Sequence, residues 1–118
     1  MDYALLIYFD EADAAKLSPA QAQAGHEEYM EFTKWLDAAG KMKGGRPLER
    51  VANATTVRVR GGKTSSTDGP FAETKEQLGG FYLAEAKDLD EAIAIAARIP
   101  GAKHGCIEVR PIMKIPGM

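Results

Sequence analysis

The chain has 118 residues, a formal net charge of −2 and a single cysteine. That length suits one domain, residues 1–118, able to bury a core without covalent staples. One Cys excludes an intramolecular disulfide framework and fits a reducing compartment. The near-balanced charge implies no basic face and so argues against nucleic acid as the main partner. No stretch reaches the length of a membrane span. The apolar run Tyr3–Phe9 lies between Asp2 and Asp10-Glu11, too short and too acidic for a secretory signal. The expectation is a cytoplasmic protein with no membrane partner.

Tyr3–Phe9 predicts a first strand that is apolar on both faces, Tyr3, Leu5, Ile7 and Phe9 on one and Ala4, Leu6 and Tyr8 on the other. Ser18-Pro19 starts a helix, with a capping Ser and Pro at the first helical position, and Gly40 ends it. Its sheet-facing stripe is predicted as Ala22, Gly25, Tyr29, Phe32, Leu36 and Ala39. His26 falls at the border of that stripe, and Trp35 lies off its centre, placed to meet a second surface. Gly44-Gly45-Arg46-Pro47 reads as a turn, Pro47–Val51 as a short irregular strand and Thr55–Arg60 as a better one. Gly79–Glu85 is the next strand. Asp88 caps a second helix with Leu89, Ile93, Ala96 and Ala97 on its buried side, and Pro100-Gly101 closes it. Cys106–Met113 is the last strand, with the Cys in the core.

Between the middle strands lies Asp68-Gly69-Pro70-Phe71-Ala72-Glu73-Thr74-Lys75-Glu76. Asp-Gly is a turn signal, and Pro70 pushes Gly69 towards an extended conformation. Phe71, the one large apolar residue there, is expected to pin the loop to the core. Counted from Gly61, the connection is much longer than a hairpin needs, and long ordered loops are often functional.

The order is β-α-β-(loop)-β-α-β, an α+β fold of the ferredoxin-like βαββαβ type, with an antiparallel sheet and both helices on one face. The other face is left open and, by the first strand, partly apolar. Face-to-face pairing of two copies into a barrel-like homodimer is the expectation.

The nine residues DGPFAETKE resemble the defining motif of the DGPFAETKE family, a branch of the YCII-related proteins. The opening YALLIY, the helix with His26, Tyr29 and Leu36, the Gly79–Ala92 run and HGCIEVRPI at the end resemble it too. The resemblance implies a dimeric α-β barrel and a pocket between the first helix and the sheet, with a His and an Asp as the working pair. It carries over to His26 and Asp68, with Asp37 as the alternative partner. Its members are often encoded beside sigma factors, which points to a regulatory role.

From the residues alone, His26 is the candidate general acid or base, set against a border histidine that merely packs its ring. Asp68 either orients it, binds a ligand, or builds its own turn. Tyr82 and Arg110 are candidates for holding an anionic or phenolic substrate, although Arg110 equally suits an ion pair with Glu108. Glu73 and Lys75 form a polar rim or are simply solvated. The two His are far apart, there is no paired-Cys spacing, and the Gly pairs lack a Lys-Ser/Thr ending, so neither a metal nor a cofactor is expected. Two functions stay open: a small cofactor-independent acid/base enzyme (lyase, isomerase or hydrolase), and a ligand-sensing or protein-binding regulatory module linked to a sigma factor.

Overall fold

The computed structural model describes residues 1–118. β1 (Asp2–Phe9) runs up the middle of a four-stranded antiparallel sheet, paired with β5 (Gln77–Glu85) on one side and β6 (Cys106–Pro111) on the other. β2 (Met42–Pro47) lies outside β5, giving the order β2-β5-β1-β6. Tyr3, Leu5 and Ile7 are 2%, 0% and 5% exposed, so this face of β1 is core. Ala4, Leu6 and Tyr8 on the opposite face are only half-buried, and the register sets them beside Leu83, Phe81 and Leu78 of β5. Both faces of the central strand are apolar, and the chain covers one of them.

The cover comes from two helices. α1 (Glu11–Ala14) is a single turn capped by Asp10. α2 (Pro19–Ala38) begins with a reciprocal cap, Ser18 accepting from the Gln21 amide and Gln21 from the Ser18 amide, which satisfies two otherwise orphaned donors. Gly40, at φ +72, ends it in the conformation that glycine adopts most easily. α3 (Leu89–Ala97) is capped by Asp88, whose side chain accepts from the Glu91 amide.

Phe32 and Leu36 of α2, Ala92, Ile95 and Ala96 of α3, and Ile99 join the buried face of β1 in one core. Trp35 meets its second surface at Arg98, which follows α3 and lays its guanidinium 3.7 Å from the ring centroid. The buried stripe of α3 is displaced from the predicted one. Leu89, Ile93 and Ala97 are exposed, and Ala92, Ile95 and Ala96 are buried against the core instead.

The middle of the chain departs most from expectation. Gly44–Pro47 is part of β2, not a turn. Its glycines let the edge strand close on β5: a Cβ on Gly45 would stand 2.7 Å from the Phe81 carbonyl oxygen. Thr55–Arg60 is a strand (β3) but does not enter the main sheet; it pairs with β4 (Lys63–Asp68) in a separate two-stranded hairpin. The polar Thr64-Ser65-Ser66-Thr67 run, expected as loop, is the body of β4. Gly61 and Gly62 turn the hairpin with φ of +59 and +76, the paired positive values of a two-residue hairpin turn. The hairpin is joined ladder to ladder, has no substantial packing on the rest of the chain, and stands out as an arm.

Candidate functional site

A cleft of about 580 Å³ opens between α2 and the β2–β5 side of the sheet. From α2 it takes His26, Tyr29, Met30, Thr33 and Lys34, positions that recur along one flank of a helix at three- and four-residue spacing. Arg46 comes from β2 and Tyr82 from β5. The floor is held low by Gly79, where any side chain would run into the Phe9 ring.

Both tyrosine hydroxyls of the cleft are held by neighbouring groups. Thr33 donates from Oγ1 to the Tyr29 carbonyl oxygen at 2.9 Å. That leaves Oγ1 as the acceptor for the Tyr82 hydroxyl at 2.8 Å, so Tyr82 spends its proton there and presents lone pairs to the cleft. The Tyr82 ring is braced edge-on by Phe32 at a centroid distance of 5.0 Å. The Tyr29 hydroxyl oxygen accepts the Gly101 amide at 3.1 Å, which leaves its own proton free to donate. Burial pushes the Tyr29 phenol above its ordinary pKa, with Tyr82 and Glu28 adding to the effect and the Gly101 amide opposing it. Two cations, Lys34 and Arg46, line the cleft beside His26, with no Asp or Glu among the lining residues. A mostly apolar cleft with cations at its edge and a donor–acceptor pair of phenols suits a small anionic or phenolic molecule.

The residues named from sequence divide by location. His26 and Tyr82 line the cleft. His26 is exposed and makes no hydrogen bond, so both ring nitrogens are free. Asp68 does not line the cleft; it ends β4 opposite Thr55, fully exposed, and its side chain forms no turn bond. Asp37 is exposed on the helix flank of His26, but three turns away, about 16 Å along the axis. Neither aspartate meets His26 within the chain. Arg110 projects from β6 on the open sheet face and pairs with Glu108, its Nε donating to Oε2 at 2.7 Å. Glu73 and Lys75 stand exposed in the loop before β5.

The segments flanking that loop are tied to α1. The Gln77 carboxamide accepts the Glu11 amide at 2.9 Å, and Glu11 accepts the Val51 amide at 3.1 Å, clamping the root of the arm to α1. Gly69 takes φ +101 instead of an extended conformation, and Phe71 is 80% exposed, pinned to nothing. Cys106 is exposed instead of buried, because the alternation of β6 turns it to the open face beside Glu76. Partial burial first, and then the Glu76 and Glu108 carboxylates, push its thiol up in pKa, away from thiolate reactivity. No group of three or more His, Cys, Asp or Glu gathers as metal ligands. No helix is long and apolar enough to cross a membrane.

Thr33, Lys34 and Arg46 escaped the sequence reading, and Tyr29 was placed there only as core. The helix residues carried a signal, since they follow His26 at i+3, i+7 and i+8 on one flank. Arg46 carried none, because a Gly-Gly-Arg-Pro string reads as a turn.

A mixed α+β chain with an antiparallel sheet in this order, helices on one face and a cleft beneath the first long helix is a ferredoxin-like domain. The YCII-related domain family matches residues 1–116. An uncharacterized protein of Rhizobium meliloti (strain 1021) is 38% identical over 114 residues, covering 95% of this chain and 92% of that protein. The chain belongs to the YCII-related family.

Proposed function

We propose that the cleft beneath α2 binds a small anionic or phenolic molecule, and that His26 exchanges a proton with it in a cofactor-independent acid/base reaction. The observation that carries this reading is the lining: His26, Lys34 and Arg46 around an apolar floor, with no carboxylate to neutralise them. In the proposed complex Arg46 and Lys34 attract the anion, the Tyr29 hydroxyl donates to it and the Tyr82 oxygen accepts from it. His26 is the cleft group whose side-chain type changes charge near neutrality, which suits it to move the proton. Asp68, Glu73, Lys75 and Arg110 stay outside this arrangement in a single chain.

The same reading includes a homodimer. Leu6, Tyr8, Phe81 and Leu83 form a half-buried apolar band on the open sheet face. The resemblance of Asp68–Glu76 to the DGPFAETKE branch supports pairing there, as a dimeric α-β barrel.

The test is a thermal-shift screen with aromatic carboxylates, phenols and small phosphate esters, run on the parent, His26→Ala and Arg46→Gln. A ligand at a hundred times its dissociation constant adds about 2.7 kcal/mol of apparent stability, a readily measured shift. Carboxylates that stabilise the parent and lose their effect in both variants support the cleft. Hits that stabilise all three proteins equally place the ligand elsewhere and end the proposal.

A further inference from the structure

The β3–β4 arm is amphipathic in a way the linear sequence conceals. Cross-strand pairing puts Val57 opposite Ser66 and Val59 opposite Thr64 on one face, and Arg58, Arg60 and Lys63 together on the other. None of these three cations forms an ion pair within the chain. Val57 and Val59 are 61% and 58% exposed, and Phe71 at the arm's root is bare as well. A lone two-stranded hairpin is marginally stable in water at best. This one nonetheless keeps an unbroken six-pair ladder from Thr55–Asp68 to Arg60–Lys63.

The whole molecule carries the same imbalance. Its accessible surface is 8551 Å², whereas a compact monomer of 12.7 kDa has about 6,200 Å². Its radius of gyration is 16.3 Å, against about 13.5 Å for a compact chain of this length. The surplus is about 2,300 Å² per copy. Removing it from two copies would bury about 4,600 Å² in total, inside the roughly 2,000–5,000 Å² of obligate homodimers. A surplus of that size is what a stable dimer interface needs.

We infer that the arm is a clasp for a second copy: the Val57–Val59 face and Phe71 of each chain pack against the other, while Arg58, Arg60 and Lys63 face outward. The outward cations keep the arm's open edges from stacking with further strands. This goes beyond pairing through the open sheet face, because the sheet can pair with the arms left free. It does not depend on what the cleft binds.

The experiment combines sedimentation equilibrium with hydrogen exchange on the full chain, comparing the parent with Val57→Asp/Val59→Asp and with Phe71→Ser. These side chains are exposed, and circular dichroism and the melting of the diluted chain check that the variants fold. A clasp gives arm amides that are protected at concentrations where the dimer forms and lose protection on dilution. It also gives at least a tenfold weaker dimer in the double-Asp variant, and a smaller loss in Phe71→Ser. Arm amides that exchange freely within an intact dimer overturn the clasp while leaving sheet pairing standing; a Leu83→Asp variant that remains dimeric removes sheet pairing instead. Protection that appears only on adding heparin also overturns it, by assigning the cationic face to a polyanion.

Discussion

The arm and the cleft half of the molecule are built from opposite materials. Around the cleft, both tyrosine hydroxyls are held by a neighbour: Thr33 fixes Tyr82, and the Gly101 amide fixes Tyr29. Beneath them lies a core of fully enclosed side chains such as Leu5 and Leu36. In the arm, all residues but Thr56 are exposed, and order comes chiefly from backbone ladder bonds, with Thr56 donating to the Gly69 carbonyl at the root. A region that satisfies itself is fit to position a ligand. A region that holds its shape but leaves its apolar face bare is fit to meet another surface. The difference is what the proposed cleft chemistry and the inferred clasp each rest on.

The sharpest way to break that contrast is to cut one apolar side chain from each half. Leu36 is 0% exposed at the centre of the core, so Leu36→Ala removes buried contacts and leaves a cavity, costing about 3 kcal/mol. Val57→Ala measured in the dilute, dissociated chain lies within about 0.5 kcal/mol of the parent, as exposed substitutions do. Urea denaturation at low protein concentration reads both. A loss of about 2 kcal/mol or more at Val57 in dissociated chains would show that the arm packs within its own chain, and the contrast would fall.

The same division decides how much was legible in the sequence. Caps placed α2 and α3 correctly because Ser18, Gly40 and Asp88 act on their own backbone, a local effect, whereas periodicity misassigned most of the buried face of α3. The two apolar faces of β1 likewise announced that both sides of the sheet want cover. Which strand joins which sheet is not local. Thr55–Arg60 has the stronger strand propensity, yet Met42–Pro47 took the edge of the main sheet, because its glycines allow the close approach to Phe81 and Tyr82. That one exchange moved Asp68 out with the arm and brought Arg46 to the cleft. His26 and Tyr82 were recognisable as chemically able side chains, whereas their surroundings depended on the strand pairing. The net charge of −2 hid the cationic face of the arm for a similar reason: the sum over the chain says nothing of how a ladder sorts its residues.

A smaller effect sharpens the cleft's side of the comparison. Tyr82→Phe keeps the ring against Phe32 and removes the hydroxyl that donates to Thr33, a loss of about 1 kcal/mol by denaturation. Thr33→Val should cost somewhat more, because it leaves the Tyr82 hydroxyl without an acceptor and removes the bond to the Tyr29 carbonyl as well. If Tyr82→Phe were as stable as the parent while Thr33→Val was not, the hydroxyl pair would be incidental and only the helix contact would matter.

The smallest effect is one of pH, and Tyr29 sets its direction. Burial raises the pKa of this phenol in the folded chain, so folding favours its neutral form. In the unfolded chain it ionises at its ordinary value of about 10. The stabilisation from keeping Tyr29 neutral is therefore complete below about pH 10 and is lost as the pH rises through the higher folded value. Tyr29→Phe cannot ionise, and it also leaves the Gly101 amide without its acceptor, so at neutral pH it is the less stable protein. Its deficit relative to the parent should narrow as the pH climbs above about 10, because the parent alone then loses the linked contribution. Denaturation of both proteins at several alkaline pH values, with phenolate absorbance followed alongside, gives the two curves. A deficit that stays constant across that range would mean the Tyr29 hydroxyl is as solvated as a free phenol, and the cleft is wetter and looser than its hydrogen bonds describe.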